Sequence, residues 1–254
     1  MLDTIISFRV SGEFAAFRDP SVTSNQTVYY IPSKSATVGM LGAILGVERD
    51  HFLGEIYGRA YLDLFKKISM GLDLESQPRK VSFFTNHRSL KESKTKPFKT
   101  EVLASPSYRF YVRVSDDTVR EALYQALMNN DFQYPPYLGH VYCPARISDV
   151  RLQQMEAFDG RTFLTSSVVL DESETYDTQF SIKKATRRQD ESRMIIERHL
   201  HHFFEKDGQM QRRVLRHWIP VGGSLYEVQI SKKPVLSSLM SSPAGNGEQV
   251  VCFY

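Results

Sequence analysis

The segment Tyr108-Arg-Phe-Tyr-Val-Arg-Val constrains the fold most, because Tyr108, Phe110, Val112 and Val114 fall on one side of an extended chain and Arg109, Tyr111 and Arg113 on the other. A strand patterned this way lays one face on a core and leaves the other more polar. The same period recurs at residues 4–10, with Ile6, Phe8 and Val10 against Ile5, Ser7 and Arg9, and at 67–74, with Ile68, Met70, Leu72 and Leu74 inward. Helical spacing lies between these runs. Residues 33–47 place Val38, Leu41 and Leu45 on one stripe, with Ser33 or Ser35 as N-cap and Gly46 near the end. Residues 50–65 read as a second helix or half-helix. Asp116 caps a third, carrying Val119, Leu123, Ala126 and Leu127. A strand through Tyr142 to Val150 completes the order strand, helix, strand, strand, helix, strand. That order predicts an α+β fold, a ferredoxin-like antiparallel sheet with two helices.

Two additions enlarge this unit. Residues 76–107 form an insertion between the second and third strands, expected as a basic β-hairpin. Residues 151–254 follow as a smaller, β-rich region with strands near 161–170, Leu225–Ile230 and Val250–Tyr254. Within it the stretch Lys183–Arg216 is basic and expected to be helical, with ten cations against five anions. The expected division is therefore 1–150 and 151–254. The helix over 33–47 is unusual in containing Ala36, Gly39, Gly42, Ala43 and Gly46. Each glycine costs a helix up to about 1 kcal/mol, so close approach of another backbone is the expected compensation.

Several function classes fall away. Cys143 and Cys252, over a hundred residues apart, make neither a disulfide framework nor a zinc pair. The run His199-Leu-His-His lacks the i, i+4 spacing of a zinc helix and reads as a polar helix face. No Walker-type phosphate loop and no serine nucleophile elbow is present. No apolar run reaches the roughly 18 residues of a membrane span, so no membrane partner is expected, and a cytoplasmic location fits. No cofactor or metal is expected.

The net charge of +3 is too small to demand a polyanion, but its distribution is uneven. Within 79–99, Arg79, Lys80, Arg88, Lys91, Lys94, Lys96 and Lys99 face Glu92 alone. Lysine and arginine neutralise phosphates and release counterions, while Phe83, Phe84 and Phe98 among them offer stacking faces for bases. The alternative is a solvated basic hairpin with no ligand.

Two further segments carry a resemblance. Gly12-Glu-Phe-Ala-Ala-Phe-Arg-Asp-Pro, followed by Tyr30-Ile-Pro-Ser-Lys-Ser-Ala-Thr-Val-Gly-Met-Leu-Gly-Ala-Ile-Leu-Gly, resembles the N-terminal signature of the fifth CRISPR-associated (Cas) family. That family is a branch of the RAMP superfamily and a subunit of type I Cascade surveillance complexes. Pro136-Tyr-Leu-Gly-His-Val-Tyr-Cys-Pro-Ala-Arg looks like its second marker, a Pro-x-Leu-Gly turn before a strand. The resemblance covers about the first 150 residues, and subtype I-B is the expected subtype. It implies a thumb-like hairpin at 76–107 and a body that grips the 5′ handle of the CRISPR RNA (crRNA). It also implies contacts with the backbone and large subunits, capping one end of an antiviral ribonucleoprotein, and leaves open a contact with target DNA near the protospacer-adjacent motif.

The residues fit that placement. Ser33, Lys34 and Ser35 put free N–H groups, two hydroxyls and an ammonium at a helix N-terminus, which suits a phosphate, the alternative being plain capping with Lys34 in solvent. Arg18 is placed to clamp phosphate or stack on a base, unless Asp19 pairs with it. One of Tyr29 and Tyr30 should face the core and the other RNA, with Tyr30 the expected contact, and Arg109 completes the expected RNA-binding set. Gly139 serves a turn, and Trp218 belongs to the core. One branch of the family cleaves CRISPR RNA without metal through Tyr, Lys and His side chains. Tyr30, Lys34 and His87 or His140 could supply those types, so a processing endoribonuclease is the alternative to a non-catalytic scaffold.

Overall fold

The computed structural model describes residues 2–22, 26–48, 58–88, 94–173, 176, 178–184, 193–204, 210–242 and 249–254. The chain opens with β1 (Leu2–Ser11) and three two-residue strands, β2 (Phe14–Ala15), β3 (Phe17–Arg18) and β4 (Val28–Tyr29). Then come α1 (Lys34–Leu45), α2 (Arg59–Lys67), β5 (Ile68–Leu74), the paired β6 (Arg79–Arg88) and β7 (Thr95–Ala104), β8 (Ser107–Val114), α3 (Asp117–Asn129) and β9 (Arg146–Ala157). Of the helix expected over 50–65, residues 50–57 lie outside the described residues, and α2 begins at Arg59.

The alternating strands pair as their period demands. β8 lies between β1 and β5, antiparallel to both, so that Phe8, Phe110 and Leu72 share one row and Ile6, Val112 and Met70 the next. All six are buried. β9 flanks β1 on its other side. Val38, Leu41 and Ile44 of α1, Leu64 and Phe65 of α2, and Leu123 and Leu127 of α3 join the same apolar cluster. Burying each such side chain contributes roughly 1.5–3 kcal/mol, which makes this layer the main driving force for the fold.

The helix ends follow the expected chemistry. Ser33 caps α1, its Oγ accepting from the Ala36 N–H, and Gly46 closes it in the left-handed region at φ +74. Asp116 caps α3 by accepting from Thr118 and Val119. The glycines of α1 divide. A Cβ on Gly42 would sit 3.4 Å from the Leu64 side chain, an ordinary contact and not the close approach of another backbone that was expected, and one on Gly39 would meet nothing within 4 Å. Half of the small-residue face is thus open.

Among the described residues after β9, every element is a strand: β10 (Thr162–Thr165), β11 (Val169–Asp171), β12 (Phe180–Lys184), β13 (Met194–Phe204), β14 (Met210–Pro220), β15 (Tyr226–Ile230), β16 (Ser238–Ser241) and β17 (Val250–Phe253). β10, β15 and β12 form one sheet, and β11, β14 and β13 another. The basic stretch expected to be helical is, where described, a long hairpin of β13 and β14. Its period was masked because the inward positions carry Glu197, His199 and His217 instead of aliphatics. His199 and His217 are nonetheless fully buried, so His199 does not sit on a polar helix face.

β16 and β17 return to the first sheet, giving the order β17-β16-β9-β1-β8-β5. β9 runs through residue 150, so the division expected at 150/151 falls inside one sheet. Tyr254 and Met70 then exchange two backbone hydrogen bonds of 3.0 Å, tying the end of the chain to β5. A second apolar cluster of Ile5, Met155, Met240, Val251 and Phe253 fills the space so enclosed. Gly71 is required there, because a Cβ would collide with Val251. The architecture is α+β, with three helices and mostly antiparallel sheets among the described residues.

Candidate nucleic-acid interface

The basic insertion is a two-stranded hairpin, β6 paired to β7 from Arg79↔Ala104 to Arg88↔Thr95. Ten residues at about 3.3 Å each give it a length of roughly 33 Å. Opposed residues share a face, so the register sorts its cations. Arg88, Phe84 and Lys99 lie on one face, while Arg79, Phe83 and Lys96 lie on the other. Phe84 is 75% exposed and Phe83 45%, and Arg79, Arg88, Lys94, Lys96 and Lys99 are all exposed. Lys91 lies outside the described residues. The base is fixed by β2, which pairs with Leu103 and Ala104, and by the buried Val102 and Leu103. A hairpin with two open faces has little stability of its own, so this anchoring holds it in place.

Five predicted contacts are committed within the protein. The Lys80 ammonium donates to the Val28 carbonyl at 2.6 Å, lies 3.6 Å from both Glu101 and Glu197, and sits 4.6 Å above the Tyr30 ring. Tyr30 is thereby covered on one face. Its N–H donates to Glu197 and its carbonyl accepts from Tyr108. Arg109 pairs with Asp149 at 2.6 Å and Glu75 at 3.2 Å, and Glu75 also accepts from Arg9. Burial would push the Glu75 carboxyl up, but Arg9 and Arg109 hold it below the usual carboxylate range.

At the N-terminus of α1 the Ser33 hydroxyl is spent as the cap and lies 3.0 Å from that of Ser35. Lys34 does not extend into solvent. Its ammonium lies 4.7 Å over the Phe65 ring, and burial pushes it down to about 8. Ser35 remains on the surface, lining a groove with Ala36, Gly39, Pro136, Tyr137 and Gly139.

Arg18 is exposed, and Asp19 does not take it up. Asp19 accepts instead from Ser21 and from the Tyr29 hydroxyl at 2.8 Å. These bonds hold its carboxyl low although burial pushes the other way, and burial with Asp19 pushes the Tyr29 hydroxyl up. The Tyr29 ring stacks on His199 at 4.0 Å. Both tyrosines are partly buried, so neither is the free face expected of one of them. His199 pairs with Glu197, and the described residues hold no group of three metal-ligating side chains. Gly139 serves its turn at φ +83, and Trp218 is partly buried with its indole N–H donated to Asp171. The sequence reading missed the exposed aromatics of the 134–142 loop, Tyr134, Tyr137 and Tyr142, whose signal was density of tyrosine beside prolines.

A mixed α+β protein of antiparallel sheets that presents a cationic, aromatic hairpin is the class this geometry defines. The model of the family CRISPR-associated protein (Cas_Cas5) matches residues 5–215, and the chain belongs to that family. No curated protein matches it. Among solved structures, the chain resembles a Cas protein at 22% identity and TM-score 0.37, over 55% of this chain and 59% of that one. It resembles a chain of a CRISPR RNA-guided surveillance complex at 14% identity and TM-score 0.47, over 85% and 91%. A chain of the type III-B Cmr-beta complex bound to cognate target RNA and AMPPnP is similar at 11% identity and TM-score 0.46, over 87% and 86%. The chain thus spans about three fifths of the first of these. Among the described residues no helix is long and apolar enough to cross a membrane.

Proposed function

We propose that this chain is a non-catalytic subunit of a type I Cascade surveillance complex that holds the 5′ handle of the crRNA and caps one end of the backbone. Its ferredoxin-like body carries β6 and β7 as the thumb that grips the phosphodiester chain, with the backbone and large subunits as its protein partners. The observation that supports this most is Phe84, three quarters exposed and set in register beside Lys99 on a basic hairpin. Leaving a phenylalanine in water stabilises nothing in the isolated fold, whereas a ring between cations suits a base and its flanking phosphates. The contact set is Arg18, Arg79, Arg88, Lys94, Lys96 and Lys99 with Phe83 and Phe84. Photocrosslinking of thiouridine-labelled repeat RNA should give adducts on 79–88 and 94–104. Adducts confined to other segments would contradict the assignment.

Metal-independent cleavage of repeat RNA is the second reading, and it rests on His140, whose side chain is exposed and of a type that serves as general acid or base. Incubation with repeat RNA in EDTA decides between them. The scaffold reading expects intact RNA, and a product ending in a 2′,3′-cyclic phosphate would replace it.

A further inference from the structure

The Pro-x-Leu-Gly segment folds into a narrow loop whose stem is closed by backbone hydrogen bonds. Leu138 donates to the Cys143 carbonyl at 2.8 Å, Ala145 donates to that of Pro136, and Cys143 closes the turn onto His140. Leu138 and Cys143 are buried in the main core. Two glycines let the loop dock. A Cβ on Gly12 would lie 2.9 Å from Leu138 and from the Pro144 carbonyl, and one on Gly139 would collide with Ala16.

The tip of this loop carries exposed side chains. Tyr142 is 83% exposed, and one face of its ring rests on His140 at 4.8 Å and 27° while the other is open. A groove runs beside it, walled by Phe14, itself 42% exposed, and holding one cation, Arg146, and one anion, Glu13. Phe14 lies on β2, which pairs with Ala104 at the base of the basic hairpin. The groove shared by Phe14 and Tyr142 is thus continuous, through β2, with the base of the basic hairpin.

We propose that this groove is a nucleotide subsite that takes one unpaired base of the RNA on the Tyr142 ring, with His140 backing the stack and Arg146 facing the phosphate. The inference rests on the RNA-holding function proposed above and adds a second contact to it. Ring faces accept any base, guanidinium suits phosphate, and a carboxylate such as Glu13 accepts from an exocyclic amine, so the groove offers each chemistry that a nucleotide presents. Hydrogen bonds that close the loop's stem lower the ordering cost of binding, which favours affinity.

The test uses the full chain, short single-stranded oligoribonucleotides carrying 2-aminopurine at successive positions, and the variants Tyr142→Ala, Tyr142→Phe and Lys96→Gln/Lys99→Gln. Tyr142 is exposed, so its replacement leaves the fold intact. Tyr142→Ala should weaken binding about tenfold to a hundredfold with an unchanged salt dependence and abolish 2-aminopurine quenching at one position. Tyr142→Phe should bind as the natural chain does. If the lysine variant weakens binding while Tyr142→Ala changes neither affinity nor quenching, the subsite is wrong and the hairpin assignment stands. If the natural chain binds none of these RNAs, both fall. If Tyr142→Ala spares RNA but abolishes association with a neighbouring subunit, the tip is a protein-docking surface and the subsite is overturned.

Discussion

Asp73 is buried within the enclosed sheet, where Tyr111 and Ser166 each donate to one carboxylate oxygen at 3.2 Å. Its other oxygen has no hydrogen bond among the described residues. Burial pushes this carboxyl up, more than its hydrogen bonds pull it down. The folded chain therefore holds the neutral form more readily than the unfolded chain does. Stability is fully present below the unfolded value of about 4 and is lost as pH rises through the folded value. Asp73→Asn should raise Tm at about pH 8 and give no advantage at about pH 4, as melting curves at the two pH values would show. A larger advantage at the acid end would reverse the sign argued here. Arg109 belongs to the same scale. With Glu75 and Asp149 as partners, it ties the sheet together, and Arg109→Gln should cost about 1–2 kcal/mol by removing one of two cations from each carboxylate, Arg9 remaining at Glu75 and Arg151 at Asp149. Denaturant titration measures that loss, and the salt dependence of RNA binding should not change.

At the scale of elements, the packing of glycines separates structure from surface. Gly71→Ala should destabilise by about 1–3 kcal/mol because Val251 occupies the space, while Gly39→Ala should stabilise by up to about 1 kcal/mol because its surroundings are open. Equal effects in urea titration would show that the two faces are packed alike. The same elements show what the sequence could reveal. β1, β5 and β8 were legible because every position facing the main apolar cluster is apolar, and α1 and α3 because Ser33, Gly46 and Asp116 mark their ends. β13 and β14 were not, because histidines buried against Tyr29 and against each other replace the aliphatics that a period-two pattern needs. The candidate site was legible as a charge run but not residue by residue. Lys80 and Arg109 are claimed by Glu101, Glu197, Glu75 and Asp149, carboxylates that only the folded chain brings to them.

Across the whole molecule the two ends of the chain share one sheet, and the hydrogen bonds between Tyr254 and Met70 anchor that sheet against its own first edge. The body so formed needs no ligand to bury its core, which leaves β6 and β7 free to project. Its net charge of +3 is small, so any strong attraction to RNA must come from this local concentration. The decisive measurement is the slope of log K against log salt for single-stranded repeat RNA, compared between the natural chain and the Arg88→Gln/Lys94→Gln/Lys96→Gln/Lys99→Gln variant. Each phosphate contact contributes about 0.7 to the slope, so loss of four contacts should lower its magnitude by about 3. An unchanged slope would contradict the account, because the hairpin would then hold no phosphate.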